Sequence, residues 1–117
     1  MTIDQVQTVG GPDATVIVPA PEEYDEASEG WTESEFRADA PEGTIVARWT
    51  GEPGWVRIED WPYTEVCVLL SGAIQLDDED GASRRFAAGD SFLIPRGFRG
   101  VWRTLEPSEK IFVGIGV

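Results

Sequence analysis

Gly89-Asp-Ser-Phe-Leu-Ile-Pro95-Arg-Gly97-Phe-Arg-Gly100 decides the fold. The apolar run Ser91–Ile94 lies between Gly89 and Pro95-Arg-Gly97, which predicts a short strand running into a turn. A sister segment begins 24 residues upstream, Glu65-Val-Cys-Val-Leu-Leu-Ser-Gly72. It is a near-continuous apolar strand that also stops at glycine. Outward from this pair the chain keeps the same character. Ala73-Ile-Gln-Leu-Asp alternates, and Asp77-Asp-Glu-Asp-Gly81 predicts a hairpin turn, because Asp and Gly tolerate turn backbones. Ser83–Ala87, Gly100–Leu105 and Lys110–Val117 follow as strands; Thr44–Thr50 and Trp55–Glu59 precede. Many short strands with Gly and Pro punctuation predict an all-β sandwich or barrel. No segment of helical length carries a 3.6-residue apolar period.

The segment before Thr44 reads differently. Thr15–Val18 predicts a short first strand ended by Pro19. Residues 21–44 are acidic and broken by Pro21, Gly30, Pro41 and Gly43, which predicts an irregular arm. Trp31 and Phe36 are expected to pin that arm to the rest, since isolated aromatics in a polar run gain by leaving water. The expected division is an N-terminal strand and acidic arm over residues 1–43, packed on a barrel over 44–117.

At 117 residues one domain is expected, large enough to bury roughly two-thirds of its unfolded surface. The net charge is −13, with 12 acids against 2 arginines on residues 1–52 (net −10) and 10 acids against 7 bases on 53–117 (net −3). So acidic a surface predicts no nucleic-acid partner and no anionic membrane partner, both of which need a basic footprint. The start of the chain lacks a basic region followed by an apolar stretch, so no secretory signal is expected. A single cysteine, Cys67, predicts no internal disulfide, and a cytoplasmic location is the simplest expectation. Strands Glu65–Leu70 and Ile111–Val117 are apolar on both faces. Only one face can look inward, so Val66, Val68 and Leu70 need an outer partner, and a homodimer is expected on that face.

Gly89, Pro95 and Gly97 keep the spacing of the cupin second motif, Gly-x5-Pro-x-Gly-x2-His-x3-Asn, with Gly100 at the histidine position and Thr104 at the asparagine position. Glu65 and Gly72 keep the Glu-x6-Gly end of the first motif, whose two histidine positions fall on Glu59 and Trp61, give or take one residue. The chain thus resembles a cupin with three of four metal ligands replaced; it holds no histidine at all. The wider wording, with Trp55, Asp80-Gly81, Phe86-Ala-Ala-Gly-Asp, Pro95-Arg-Gly-Phe-Arg-Gly-Val-Trp102 and Lys110-Ile-Phe-Val, resembles short cupins related to ethanolamine-utilisation protein Q and to (S)-ureidoglycine aminohydrolase-like cupins. The resemblance spans about residues 44–117. It implies an all-β cupin-type jelly-roll barrel and leaves the activity open.

Carried onto that barrel, Glu65 points inward, and alternation brings Cys67 with it. Glu59 inward brings Arg57 and Trp55; Gly100 inward brings Phe98 and Trp102. The expected pocket is therefore Trp55, Arg57, Glu59, Trp61, Glu65, Cys67, Phe98 and Trp102, aromatic-walled with few polar groups. Glu59 and Glu65 are the candidate acid/base pair, because two carboxylates in a low-dielectric barrel cannot both ionise freely. The plainer alternative pairs Arg57 with one of them as a structural ion pair. No metal or other cofactor is expected; Glu59 and Glu65, with Cys67, suit at most a weak divalent site. Cys67 has no histidine to activate it and is expected to be inert. Three functions remain open: binding of a small organic molecule in a metal-free pocket, a metal-independent lyase, isomerase or hydrolase, and a structural module whose barrel is filled by side chains.

Overall fold

The computed structural model describes residues 1–117. Its strands are β1 (Thr15–Ile17), β2 (Glu26–Ala27), β3 (Glu33–Arg37), β4 (Thr44–Gly51), β5 (Gly54–Ile58), β6 (Thr64–Ser71), β7 (Ala73–Asp78), β8 (Ser83–Ala87), β9 (Ser91–Ile94), β10 (Gly100–Thr104) and β11 (Ser108–Ile115). Helix is limited to two 3-10 turns, Ile3–Gln5 and Pro21–Glu23. A six-stranded sheet, β1-β3-β4-β11-β6-β9, faces a five-stranded sheet, β2-β5-β10-β7-β8. All pairings are antiparallel. This is a jelly-roll: the strand pattern predicts an all-β sandwich or barrel, and the cupin resemblance implies the jelly-roll. No helix is long and apolar enough to cross a membrane.

Period-two geometry sets the core. On β6 the even partners Val66, Val68 and Leu70 lie outside, while Glu65, Cys67 and Leu69 are buried. Ile74 of β7, Trp102 of β10 and Phe112 of β11 meet them between the sheets. Burying a side chain such as Leu69 or Phe112 contributes roughly 1.5–3 kcal/mol. The Pro95–Phe98 turn closes with the Phe98 N–H donating to the Pro95 carbonyl at 3.1 Å, and Gly97 takes φ +85°, which only glycine adopts without strain. At the β7–β8 turn, Asp78 accepts from the backbone N–H groups of Asp80 and Ala82 at 2.8 and 3.0 Å.

The acidic arm differs from its irregular expectation. Glu33–Arg37 is a regular strand, paired on one side with β1 and on the other with β4, and Glu26–Ala27 pairs with β5. The reason lies inside the barrel. Trp31, Glu33 and Glu35 are spaced by two and all three are buried. The inward residues of this strand are carboxylates with internal donors, so the segment hides no apolar alternation that a sequence reading could detect. Phe36 takes the opposite parity and is half-buried on the outer face, while Trp31 anchors the arm as expected.

Candidate functional site

The central feature of the barrel is a cation. Lys110, the only lysine, sits on β11 with the inward parity of Ser108 and Phe112, and it is 6% exposed. Its Nζ donates to Glu65 Oε2 at 2.8 Å. It also lies 4.0 Å from the ring centroid of Trp102, 4.7 Å from that of Trp49 and 5.1 Å from that of Phe112. A desolvated ammonium against aromatic faces gains about 2 kcal/mol from the ring quadrupoles. Glu65 accepts two further hydrogen bonds, from Trp61 Nε1 at 3.2 Å and from the Cys67 thiol at 2.9 Å. Burial pushes the Glu65 carboxyl upward, but the Lys110 charge and these donors outweigh it and hold it below the usual carboxylate range. Burial likewise pulls Lys110 down, and the Glu65 charge more than reverses this, so both partners are ionised.

A second carboxylate is satisfied without any cation. Glu33 of β3 accepts from Tyr24 Oη and Trp31 Nε1 on one oxygen and from Trp49 Nε1 on the other, the last two at 2.6 and 2.8 Å. Glu35, two residues on, is paired with Arg37 at 2.8 Å, yet desolvation wins and its pKa is raised. Every buried side-chain nitrogen and oxygen has a hydrogen-bond partner.

These groups line a chamber of about 80 Å³ with walls from Trp31, Trp49, Trp61, Trp102, Tyr63 and Phe112. That is about half of the ~150 Å³ that admits benzene in an engineered apolar cavity. A space of that size admits only a few non-hydrogen atoms. The ionisable lining consists of Glu33, Glu35 and Glu65 against Lys110, three acids to one ammonium, together with Tyr24 and Tyr63, whose phenols burial pushes upward. The chamber is rich in acceptors, and its strongest donors are already engaged.

The expected site residues divide. Glu65, Trp61 and Trp102 line this chamber, and Cys67 lies behind Glu65, fully buried with a thiol that desolvation holds well above its ordinary pKa. Trp55, Arg57 and Glu59 do not line it, which corrects the phase expected for β5. The inward residues of β5 are Val56 and Ile58. The strand ends at Ile58, and Trp61 enters the barrel from the following loop, so counting back from Trp61 by twos lands one residue out. Arg57 and Glu59 instead pair on the surface at 2.7 Å, with Glu26 and Arg99 within 4 Å. Glu59 and Glu65 therefore form no dyad, and the ion pair of Glu65 is with Lys110 rather than Arg57. No group of three or more His, Cys, Asp or Glu side chains is placed to hold a metal ion.

Phe98 takes a separate role. Its ring lies edge-on to Trp61 at 5.8 Å, and the two residues are bridged by the Trp61 N–H donating to the Phe98 carbonyl at 3.0 Å. A Cβ at Gly100, the histidine position of the cupin pattern, would lie 2.1 Å from the Asp77 carbonyl oxygen and 2.7 Å from the Phe98 ring. No side chain fits there, and Phe98 closes the space a ligand at position 100 would need. Thr104, at the asparagine position, accepts from Trp102 Nε1 at 3.0 Å.

Lys110, Glu33 and Glu35 are the site residues that sequence reasoning missed. A signal existed for Lys110: phasing β11 from Phe112 places the lone lysine inside. For Glu33 and Glu35 the signal was the two-residue spacing from Trp31.

Residues 41–112 match the EutQ-like cupin domain. Among solved structures, the EutQ protein of Clostridium difficile superposes with a TM-score of 0.65 at 13% identity; the match covers 77% of this chain and 66% of that one. An ethanolamine utilization protein Q from Salmonella typhimurium LT2 gives 0.67 at 12% identity, covering 89% and 96%. A protein of unknown function from Rhizobium leguminosarum gives 0.63 at 14% identity, covering 73% and 82%. No functionally curated protein matches the chain.

Proposed function

This chain belongs to the EutQ-like cupin family, and from that premise we propose that it binds a small organic cation, without metal, in the chamber between β3, β5, β6, β10 and β11. The observation that carries this reading is the lining: three carboxylates and an aromatic wall surround a single ammonium, so acidic groups outnumber cations in the chamber. Aromatic faces beside carboxylates favour cations. The size of the chamber favours a compact amine. Binding is preferred to acid–base catalysis because Glu65 is ionised and held by Lys110, which makes it a weak base at neutral pH. The same contact supports a metal-free reading. Glu65 is the one residue of metal-ligand type kept at its motif position, and its charge is already matched.

The test is intrinsic tryptophan fluorescence with thermal denaturation, titrating methylammonium, ethanolamine and acetate. Ethanolamine is included because the matched Clostridium and Salmonella structures carry the EutQ name. The amines are expected to change the emission saturably and raise the Tm, and acetate to do neither. Stabilisation by Mn²⁺ or Zn²⁺ alone would overturn the metal-free reading. Silence towards all of them would favour a side-chain-filled barrel.

The protein is further expected to be a homodimer in a reducing, cytoplasmic setting. On the outer face of the six-stranded sheet, Val68, Leu70, Leu93 and Ile115 are 39–59% exposed, and register places Val66 beside both Leu93 and Val113. A contiguous apolar sheet face of this kind gains by being covered. Native mass spectrometry should report a dimer, and V68D should shift it to monomer without changing the far-ultraviolet circular dichroism. A monomeric wild-type protein at micromolar concentration would remove the dimer.

A further inference from the structure

β8 and β9 are the outermost strands of the two sheets on the side opposite the arm. Between them the barrel opens into a second cavity of about 430 Å³, floored by Leu76, Phe86, Phe92, Ile94 and Phe98. This volume falls within the roughly 300–1,000 Å³ typical of small-molecule sites, unlike the inner chamber. The two cavities are partitioned by aromatic pairs, Trp61 on Phe98 at 5.8 Å and Trp102 near Phe92 at 6.2 Å. Phe86 and Phe92 stack at 4.0 Å, which gives the cleft a rigid apolar wall.

One cation serves this wall. The register Leu76↔Arg84 and Ile74↔Phe86 puts Arg84 on the same inward face as Phe86. Its guanidinium carbon lies 5.2 Å from the Phe86 centroid. The exposed Arg84 side chain forms no ion pair or hydrogen bond within the protein. Each of the other seven arginines has an acceptor: a carboxylate for Arg37, Arg48, Arg57, Arg99 and Arg103, the Gln75 side chain for Arg85 and the Gly116 carbonyl for Arg96. In a chain of net charge −13, an unpaired arginine over an apolar cleft is unexpected. The acid on the rim, Asp78, has one oxygen engaged by the backbone N–H groups of its own turn.

We infer that the β8–β9 cleft is a binding site for a small carboxylate with an apolar body, whose hydrocarbon lies on Phe86 and Phe92 and whose carboxylate is held by Arg84. A guanidinium gives a carboxylate two parallel hydrogen bonds, and the apolar floor excludes water from the rest of the ligand. This site is independent of the inner chamber: it takes the opposite charge and contains no tryptophan.

Phenylacetate and the neutral analogue 2-phenylethanol, followed by amide chemical shifts, provide the test. Phenylacetate should bind saturably, with shifts concentrated in β8, β9 and Pro95–Phe98, while 2-phenylethanol binds at least tenfold more weakly. R84Q should weaken phenylacetate by about ten- to a hundredfold, the worth of a charge-assisted hydrogen bond, and R84K should recover part of the loss. Absence of saturable shifts at millimolar phenylacetate, or equal affinity in R84Q, would overturn the inference. An inward charge on an edge strand can also serve only to prevent edge-to-edge association. R84Q would then self-associate in sedimentation while binding phenylacetate as the wild type does, and that outcome also overturns it.

Discussion

Replacing Lys110 by methionine is expected to lower the unfolding free energy by about 3–5 kcal/mol, because it strands the Glu65 charge in the core. Shape is nearly kept, so the cost is electrostatic. Glu65 is 4% exposed and retains only Trp61 Nε1 and the Cys67 thiol as donors. The double variant K110M/E65L should recover most of the loss, since replacing a buried pair by apolar residues of similar volume is often neutral or better. Urea denaturation followed by tryptophan emission measures both. A single variant as stable as the wild type would refute the ion-pair account, and so would a double variant no better than the single.

The same pair sets a pH window. The folded pKa of Glu65 lies below its ordinary 4.5, so its contribution is present above that value and is lost as pH falls through the folded pKa. The folded pKa of Lys110 lies above its ordinary 10.5, so its contribution is present below that value and is lost as pH rises through the folded pKa. Between these limits the pair contributes fully, and in K110M/E65L both of these flanks should flatten.

Replacing Glu33 by leucine is expected to cost about 3 kcal/mol or more, by a different route. Three donors, Tyr24 Oη, Trp31 Nε1 and Trp49 Nε1, lose their shared acceptor. Each buried donor left without a partner costs about 1–3 kcal/mol, less where it can turn to water. Tyr24 and Trp31 belong to the arm and meet edge-on at 6.3 Å, so their escape to water loosens that segment first. Hydrogen exchange should accelerate in β2 and β3 before β6 or β11. E33Q keeps a carbonyl acceptor and should lose roughly half as much. Uniform acceleration across all strands would show that Glu33 holds the whole barrel rather than the arm.

The fold was legible because short apolar runs stop at glycine and proline, and the two signature segments also keep the cupin spacing at Glu65 and Gly72 and at Gly89, Pro95 and Gly97. The inward phase of β6 and β10 was legible because the cupin resemblance sets Glu65 and Gly100 inward and period-two geometry carries that to Cys67 and Trp102, all of which are buried. The phase of β5 was not, because Glu59 and Asp60 lie in a bend that breaks the count between Ile58 and Trp61. The carboxylates of the arm were hidden by their own polarity. A buried acid and a solvated acid look alike in a sequence, and only the converging indole N–H groups distinguish them. The basic partner of Glu65 lies 45 residues away on β11, a pairing that no local pattern encodes.

The position of β11 also bears on how the protein is made. It is the last strand in chain order, yet it lies between β4 and β6 and pairs with both along most of its length. During translation the β1-β3-β4 group and the β6-β9 pair must wait as separate fragments, each with an open edge where β11 belongs. Glu65 waits without its ammonium, and Trp49 without the cation that seats it. Completion of the six-stranded sheet therefore waits on the synthesis of β11. Until then the nascent chain exposes the unpaired edges that chaperones recognise and aggregates exploit.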